Sequence, residues 1–162
     1  VGVKLSGDEN VVLLDATNKN SLPNILPLKV LNWSGRMLMS NGTSKEISLE
    51  PNKYSIKNIT ILADIVNDTN IKGKVREVST EYLAFLFREK YANLSNQSLI
   101  EKIEKDYDGT EIEDLTIKNE NSKPINLTYS FFSDNLVEII GEKLYISPLN
   151  TITSPLSGSC MG

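Results

Sequence analysis

A single aspartate closes the first apolar run of this chain and is its clearest candidate for chemistry. Asp15 follows Val11-Val-Leu-Leu14 and precedes Ala16-Thr17, so it lies where a strand gives way to a turn. A carboxylate in this position could orient an imidazole, as the third member of a nucleophilic triad does. It could equally accept hydrogen bonds from the following turn, with Thr17 as the nearest donor. The residues alone leave both interpretations open.

The other two members of such a triad are scarce in this sequence. The 162 residues include no histidine and one cysteine, Cys160. A reactive thiol needs a helix N-terminus, a cation or an imidazole to lower its pKa, and Ser157-Gly-Ser-Cys160 offers none of these. A lone cysteine also cannot form an internal disulfide. We therefore expect Cys160 to be incidental and the chain alone not to be an enzyme.

Carboxylates are concentrated in the segment 106–113, which reads Asp-Tyr-Asp-Gly-Thr-Glu-Ile-Glu. Clustered oxygens suit calcium, but Gly109 comes too early for an EF-hand loop, and a helix C-cap is the better interpretation of this glycine. Glu111 and Glu113 resemble a glycosidase pair only in their chemical type. Their spacing favours one solvent-exposed face of a strand. The sequence predicts neither a metal nor a cofactor.

Alternating and turn-forming residues predict several strands around these groups. Asn41-Gly42 should join a hairpin of residues 36–40 and 45–49, and the alternation of Ile59, Ile61, Ala63 and Ile65 predicts the first strand of a second hairpin. An irregular excursion is expected between Asn18 and Pro27. Further strands are predicted in these places: Val1–Leu5, around Val11–Leu14, Lys72–Val78, Ile112–Ile117, Leu127–Phe131, Val137–Ile140 and Lys143–Ile146.

Helical periodicity is confined to the middle of the chain. Residues 82–91 carry a broad apolar face, and Tyr82, Phe85, Phe87 and Tyr91 are better explained as core than as a ligand-stacking surface. A second helix is predicted to start at Ser98, where Ser98-x-x-Glu101 has the form of a capping box. The predicted fold class is α+β, predominantly antiparallel β-sheet and sandwich-like, with one helical insert around residues 80–107.

Charge and hydropathy exclude some partners. The chain has 17 Lys and Arg against 21 Asp and Glu, a net charge of −4, and no basic stripe that would indicate a nucleic-acid partner. No apolar run is long enough to span a bilayer, so no membrane insertion is predicted. The first residues do not form a signal peptide and open within the predicted strand Val1–Leu5. We therefore expect this chain to be a piece of a longer protein.

Two groups of motifs carry a family resemblance. Val12-Leu-Leu-Asp-Ala-Thr17, Leu26-Pro27 and Leu31-Asn-Trp-Ser-Gly-Arg36 resemble the segment that closes the catalytic core of bacterial transglutaminase-like proteins. The helix holding Tyr82 and Arg88, and the run Gly141-Glu-Lys-Leu-Tyr-Ile-Ser-Pro148, are similar to the domain of unknown function that follows this core. The resemblance covers residues 1–149.

This resemblance implies a role within a larger protein. The family performs acyl transfer or peptide hydrolysis with a Cys-His-Asp triad, of which only Asp15 maps onto this chain. Residues 1–40 would supply the terminal strands of the core and a connecting loop, 41–149 a β-rich accessory domain, and 150–162 a flexible tail. The implied partners are an upstream core of the same protein and a protein or peptide substrate. The implied location is the periplasm or the cell surface.

Two other functions are compatible with the residues. A stand-alone module could bind a protein or a glycan through a sheet edge or loop, and an enzyme could work with carboxylates alone. Exposed apolar surface distinguishes the first alternative from an accessory segment, because a self-sufficient module should have a polar exterior. The second alternative requires acids that converge in a concave pocket.

Overall fold

The structure, a computed structural model, confirms an α+β chain that is rich in antiparallel β-sheet. It describes residues 2–4, 11–51, 53–67, 69–107, 109–118, 124–134 and 136–146, so Cys160 and the predicted tail lie outside the described residues. The strands and helices in chain order are β1 Gly2–Lys4, β2 Val11–Leu13, β3 Ser34–Leu38, β4 Ser44–Ser48, β5 Lys57–Val66, β6 Asn70–Ser79, α1 Glu81–Tyr91, α2 Asn96–Asp106, β7 Thr110–Lys118, β8 Ile125–Ser133, β9 Val137–Ile140 and β10 Lys143–Ile146.

A four-stranded antiparallel sheet with the order β5-β6-β8-β7 organises the molecule. The predicted β5–β6 hairpin is confirmed, with Asn67 at a φ of 54° in its turn. Pairs β1–β2, β3–β4 and β9–β10 form separate two-stranded sheets. In the β3–β4 turn, Gly42 adopts a φ of 81°, as the Asn-Gly signal predicts.

The hydrophobic core lies between one face of this sheet and the two helices. Alternate residues of β8 are buried, from Ile125 to Phe131, and α1 contributes Ala84, Phe87 and Tyr91 to the same cluster. Leu99 of α2 completes the contact. The predicted core role is confirmed for Phe85, Phe87 and Tyr91, which are buried, whereas Tyr82 is half-buried.

One buried acid interrupts the apolar inner face of the sheet. Glu77 of β6 is only 4% exposed, accepts a hydrogen bond from the Ser79 hydroxyl at 3.2 Å, and lies 3.3 Å from the ammonium of Lys57. A buried carboxylate is tolerated when a cation and a hydrogen bond compensate for its lost hydration. The pairing of Lys57 with Ser79 in the β5–β6 register places the cation beside the acid.

An extra residue distorts the edge strand β7. The β7–β8 register shifts between Glu113 and Thr116, and Asp114 has a φ of 54° at this bulge. The bulge changes the alternation of β7, so that Ile112 and Leu115 are both buried although they are three positions apart. Glu111 and Glu113 are exposed on the opposite face, as the sequence predicts.

The predicted start of the second helix is wrong by one turn. Ser95, not Ser98, is the N-cap, and its hydroxyl accepts a hydrogen bond from the Ser98 backbone N–H at 3.1 Å. Ser95 has the extended conformation that an N-cap requires, and the helix begins at Asn96. The Ser98-x-x-Glu101 pattern therefore lies inside the first turns, where its capping-box form has no capping role.

The predicted division at residue 40 falls inside the turn between β3 and β4. The segment before this hairpin is attached to α1, because the backbone N–H of Leu26 donates to the Tyr82 hydroxyl at 3.2 Å and Ile25 and Leu26 are buried. The division into 1–40 and 41–149 stays a prediction.

Substitution of Gly73 by alanine is expected to destabilise the fold. A Cβ at this position would collide with the Leu62 carbonyl oxygen and would lie 2.7 Å from Cε1 of Phe131. We expect Gly73→Ala to lower the free energy of unfolding by about 2 kcal/mol, measured by urea denaturation. Gly35→Ala is the control, because its Cβ meets only flexible side chains of Leu49 and Ile47. A change of equal size in both variants would contradict the close approach at Gly73.

The corrected cap can be tested by a pair of serine substitutions. Ser95→Ala removes the acceptor for the Ser98 N–H and is expected to lower the free energy of unfolding by about 1 kcal/mol. Ser98→Ala keeps that N–H and should have the smaller effect in the same denaturation experiment. A larger loss of stability in Ser98→Ala than in Ser95→Ala would instead identify Ser98 as the N-cap.

Candidate functional site

Asp15 lies two residues beyond the end of β2, in a turn that its own side chain stabilises. Its Oδ1 accepts hydrogen bonds from the Thr17 hydroxyl at 2.7 Å and from the Thr17 backbone N–H at 2.9 Å. These bonds, the hydroxyl first, hold the pKa of the Asp15 carboxyl below its usual value. The carboxylate is therefore ionised at neutral pH. The predicted hydrogen bonding to Thr17 is present.

The second carboxylate oxygen of Asp15 accepts no hydrogen bond from the residues that the structure describes. One oxygen thus fixes the orientation of the carboxylate, while the other can accept a hydrogen bond from a further group. An orienting aspartate needs both properties, since it must be held in place and must still bind the imidazole N–H.

A cleft of about 370 Å³ lies beside Asp15. Lys29 and Arg36 line it together with Asp15, so two cations and one anion share a small opening. Lys29 also contributes to the lowered pKa of Asp15. The remaining lining is mostly apolar and includes Leu26 and Leu49.

The main fold positions this cleft through the loop after β2. The backbone N–H of Leu13 donates to Asn24 Oδ1 at 2.9 Å, and the N–H of Asn24 donates to the Leu13 carbonyl at 2.8 Å. Asn24 adopts a φ of 65°, which asparagine tolerates better than most residues. The same loop is attached to α1, because the Leu26 backbone N–H donates to the Tyr82 hydroxyl.

The other sequence-predicted groups do not join Asp15. Gly109 has a φ of 70° after α2, as expected near a helix end, and Glu111 and Glu113 point away from the core. Within the described ranges, no three His, Cys, Asp or Glu side chains come together as a metal site; Asp108 lies outside those ranges. No described helix combines the length and apolar character needed to cross a membrane.

Sequence reasoning missed a second concave surface, on the outer face of the main sheet. The lining of a cleft of about 630 Å³ includes two exposed lysines, three carboxylates and two exposed apolar side chains: Lys72, Lys74, Asp64, Glu111, Glu113, Leu62 and Phe132. We call this set the outer-face cleft. The alternation of Lys72, Lys74 and Arg76 signals an exposed strand face, but only the strand order brings the acids of β7 within two strands of these lysines.

The outer-face cleft has regular rows of charge. One row across the sheet contains Asp64, Lys72, Phe132 and Glu111, and the next contains Leu62, Lys74, Ser130 and Glu113. Neither lysine forms an ion pair with a described carboxylate. These charges can therefore bind polar groups from outside the chain.

Comparison with protein-family models, with curated proteins and with solved structures found no match for this chain. The resemblance to transglutaminase-like proteins therefore stays a prediction that rests on the sequence motifs.

The role of Thr17 can be measured through the titration of Asp15. Thr17→Val removes the hydroxyl bond to Oδ1 and should raise the pKa of Asp15, because that bond favours the ionised form. Carboxyl carbon shifts followed by NMR against pH would report the change. Thr43→Val is the matched control, since it removes an equivalent 2.7 Å bond to Asn41. An unchanged Asp15 pKa in Thr17→Val would contradict the proposed cause.

Proposed function

We propose that this chain is a non-catalytic accessory segment of a transglutaminase-like protein with a Cys-His-Asp triad. In that protein Asp15 orients the histidine, and the remaining fold supports the core and shapes the access of a protein or peptide substrate. The location proposed from the resemblance is the periplasm or the cell surface. The chain itself has no histidine, so the imidazole must come from another part of the protein.

The arrangement of the Asp15 carboxylate carries this proposal. Thr17 holds one oxygen and lowers the pKa, and the other oxygen makes no hydrogen bond within the described part of the chain. An imidazole partner requires a carboxylate that is ionised, is held in position through one oxygen and can accept a hydrogen bond at the other oxygen. Without such a partner, Asp15 has only its structural role in the turn.

Uncovered apolar surface in residues 11–48 supports packing against another domain. Trp33 is 70% exposed and Leu38 80%, and Leu28 is half exposed. Strands β1 and β2 pair only with each other among the described residues, and isolated two-stranded sheets have marginal stability in water. A core that packed here would cover these side chains and extend the β1–β2 pair.

The second candidate function is a stand-alone module that binds a protein or a glycan. The outer-face cleft favours this alternative, because its lysines and carboxylates surround the exposed ring of Phe132 and form no ion pair within the described ranges. Polar side chains around an aromatic ring can bind the hydroxyl groups and the apolar face of a ligand. This surface would function without any upstream domain.

Activity assays on two versions of the protein distinguish the candidates. Thiol-dependent acyl transfer and peptide hydrolysis should be absent from this chain and present in a version extended upstream of Val1. In the extended version, Asp15→Asn should lower kcat on the order of 10⁴-fold, because the imidazole loses its orientation. Asp134→Asn, an exposed aspartate after β8, is the control and should leave kcat unchanged.

The remaining outcomes decide against the proposal. Inactivity of both versions favours the binding module. Activity in the short chain alone contradicts the accessory role, as does an extended protein whose kcat is insensitive to Asp15→Asn.

A further inference from the structure

The outer edge of the main sheet is a long and regular strand. β5 extends over Lys57–Val66 and pairs with β6 along its whole length without a register shift. It contains neither proline nor glycine, and no other described strand pairs with its free side. Natural sheets usually protect such edges with bulges, prolines or several charges, since free backbone groups attract further strands.

The hydrogen bonds to β6 show which backbone groups face outward. The Thr80 N–H donates to the Ile56 carbonyl at 2.9 Å and the Ile56 N–H donates to the Thr80 hydroxyl at 2.9 Å, so the backbone groups of Ile56 face β6. Hydrogen-bonded pairs alternate along antiparallel strands, so the even-numbered residues of β5 bond to β6. The free N–H and C=O groups therefore belong to Lys57, Ile59, Ile61, Ala63 and Ile65.

We propose that two copies of this chain pair through β5, antiparallel, about a two-fold axis at Leu62. Opposed residues must lie on the same face of the joined sheet. Even-numbered residues of β5 can therefore oppose only even-numbered residues of the second copy, and odd-numbered residues only odd-numbered ones. In the register centred on Leu62, the two Leu62 side chains meet on the outer face. The other opposed pairs are Ile59 with Ile65, Ile61 with Ala63, Thr60 with Asp64, and Asn58 with Val66.

The chemistry of these pairs favours a second copy over an arbitrary strand. Apolar side chains oppose apolar side chains on the inner face, and Leu62, which is 70% exposed in the single chain, gains an apolar partner. The carboxylate of Asp64 opposes the Thr60 hydroxyl, which can donate to it. No like charges meet, since Lys57 is already paired with Glu77 and lies beyond the last opposed pair.

The neighbouring strand β6 lies very close to β5 at the centre of the proposed interface. Gly73 of β6 allows the backbone at Leu62 and Ala63 to approach so closely that a Cβ could not fit between them. β5 is thus held tightly along β6 at the centre of the proposed interface. The sheet of one copy would continue into the sheet of the other through this strand.

A cysteine at the two-fold axis tests the register. In a Cys160→Ser background, Leu62→Cys places two thiols across a non-hydrogen-bonded pair, where Cα atoms are about 4.5 Å apart and a disulfide can form. Mild oxidation should yield a covalent dimer. Thr60→Cys is the control on the same exposed face, because its two copies would be roughly 14 Å apart along the strand and should not cross-link.

Removal of one backbone N–H that faces the second copy tests whether β5 forms the dimer interface. Light scattering after size exclusion should show a dimer for the unaltered chain. Ala63→Pro deletes an N–H that faces the second copy and leaves the bonds to β6 intact, so it should give a monomer with an unchanged circular dichroism spectrum. Ala63→Ser keeps the N–H and should remain dimeric.

Three results would overturn the proposal. They are a monomeric unaltered chain at submillimolar concentration, preferential cross-linking of Thr60→Cys, and a dimer that persists in a folded Ala63→Pro variant. None depends on Asp15, so the failure of this proposal is distinguishable from failure of the accessory function.

Discussion

The pairing of β6 with β8 is the constraint on which the remaining structure depends. These strands are adjacent in the sheet but far apart in sequence, and the connection between them contains both helices and β7. A shift by one residue would turn Tyr129 and Phe131 to the solvent and Phe132 to the core. The close contact of the Phe131 ring with Gly73 opposes such a shift, because only glycine leaves room for the ring.

Local patterns in the sequence predict the elements of this fold more accurately than their assembly. The two Asn-centred hairpin turns, the alternation in β5 and the apolar face of α1 depend on neighbouring residues, and the structure confirms them. The bond between Thr17 and Asp15 is equally local. The sequence alone does not locate the start of α2, because Ser95 and Ser98 are both acceptable caps by residue type and only the backbone conformation distinguishes them.

The features that sequence reasoning missed require the strand order. The outer-face cleft combines side chains of β5, β6, β8 and β7, and no local pattern indicates that β8 lies between β6 and β7. The burial of Glu77 is not predicted either, because the alternation of β6 places this residue on the inner face but a carboxylate is rarely buried without a partner. Lys57 and Ser79 make that burial possible, and both reach Glu77 only through the β5–β6 register and the alternation of β6.

The two edges of the main sheet differ in their capacity to accept another strand. On the β7 side, the bulge at Asp114 breaks the regular spacing of backbone donors and acceptors. On the β5 side, that spacing is uninterrupted over the length of the strand. Of the two edges of this four-stranded sheet, the β5 edge is therefore the one that can pair regularly with a further strand. With one regular edge, the four-stranded sheet can join a second copy into a closed pair but cannot continue into a fibre, so the extra residue in β7 limits any assembly that is built through this sheet.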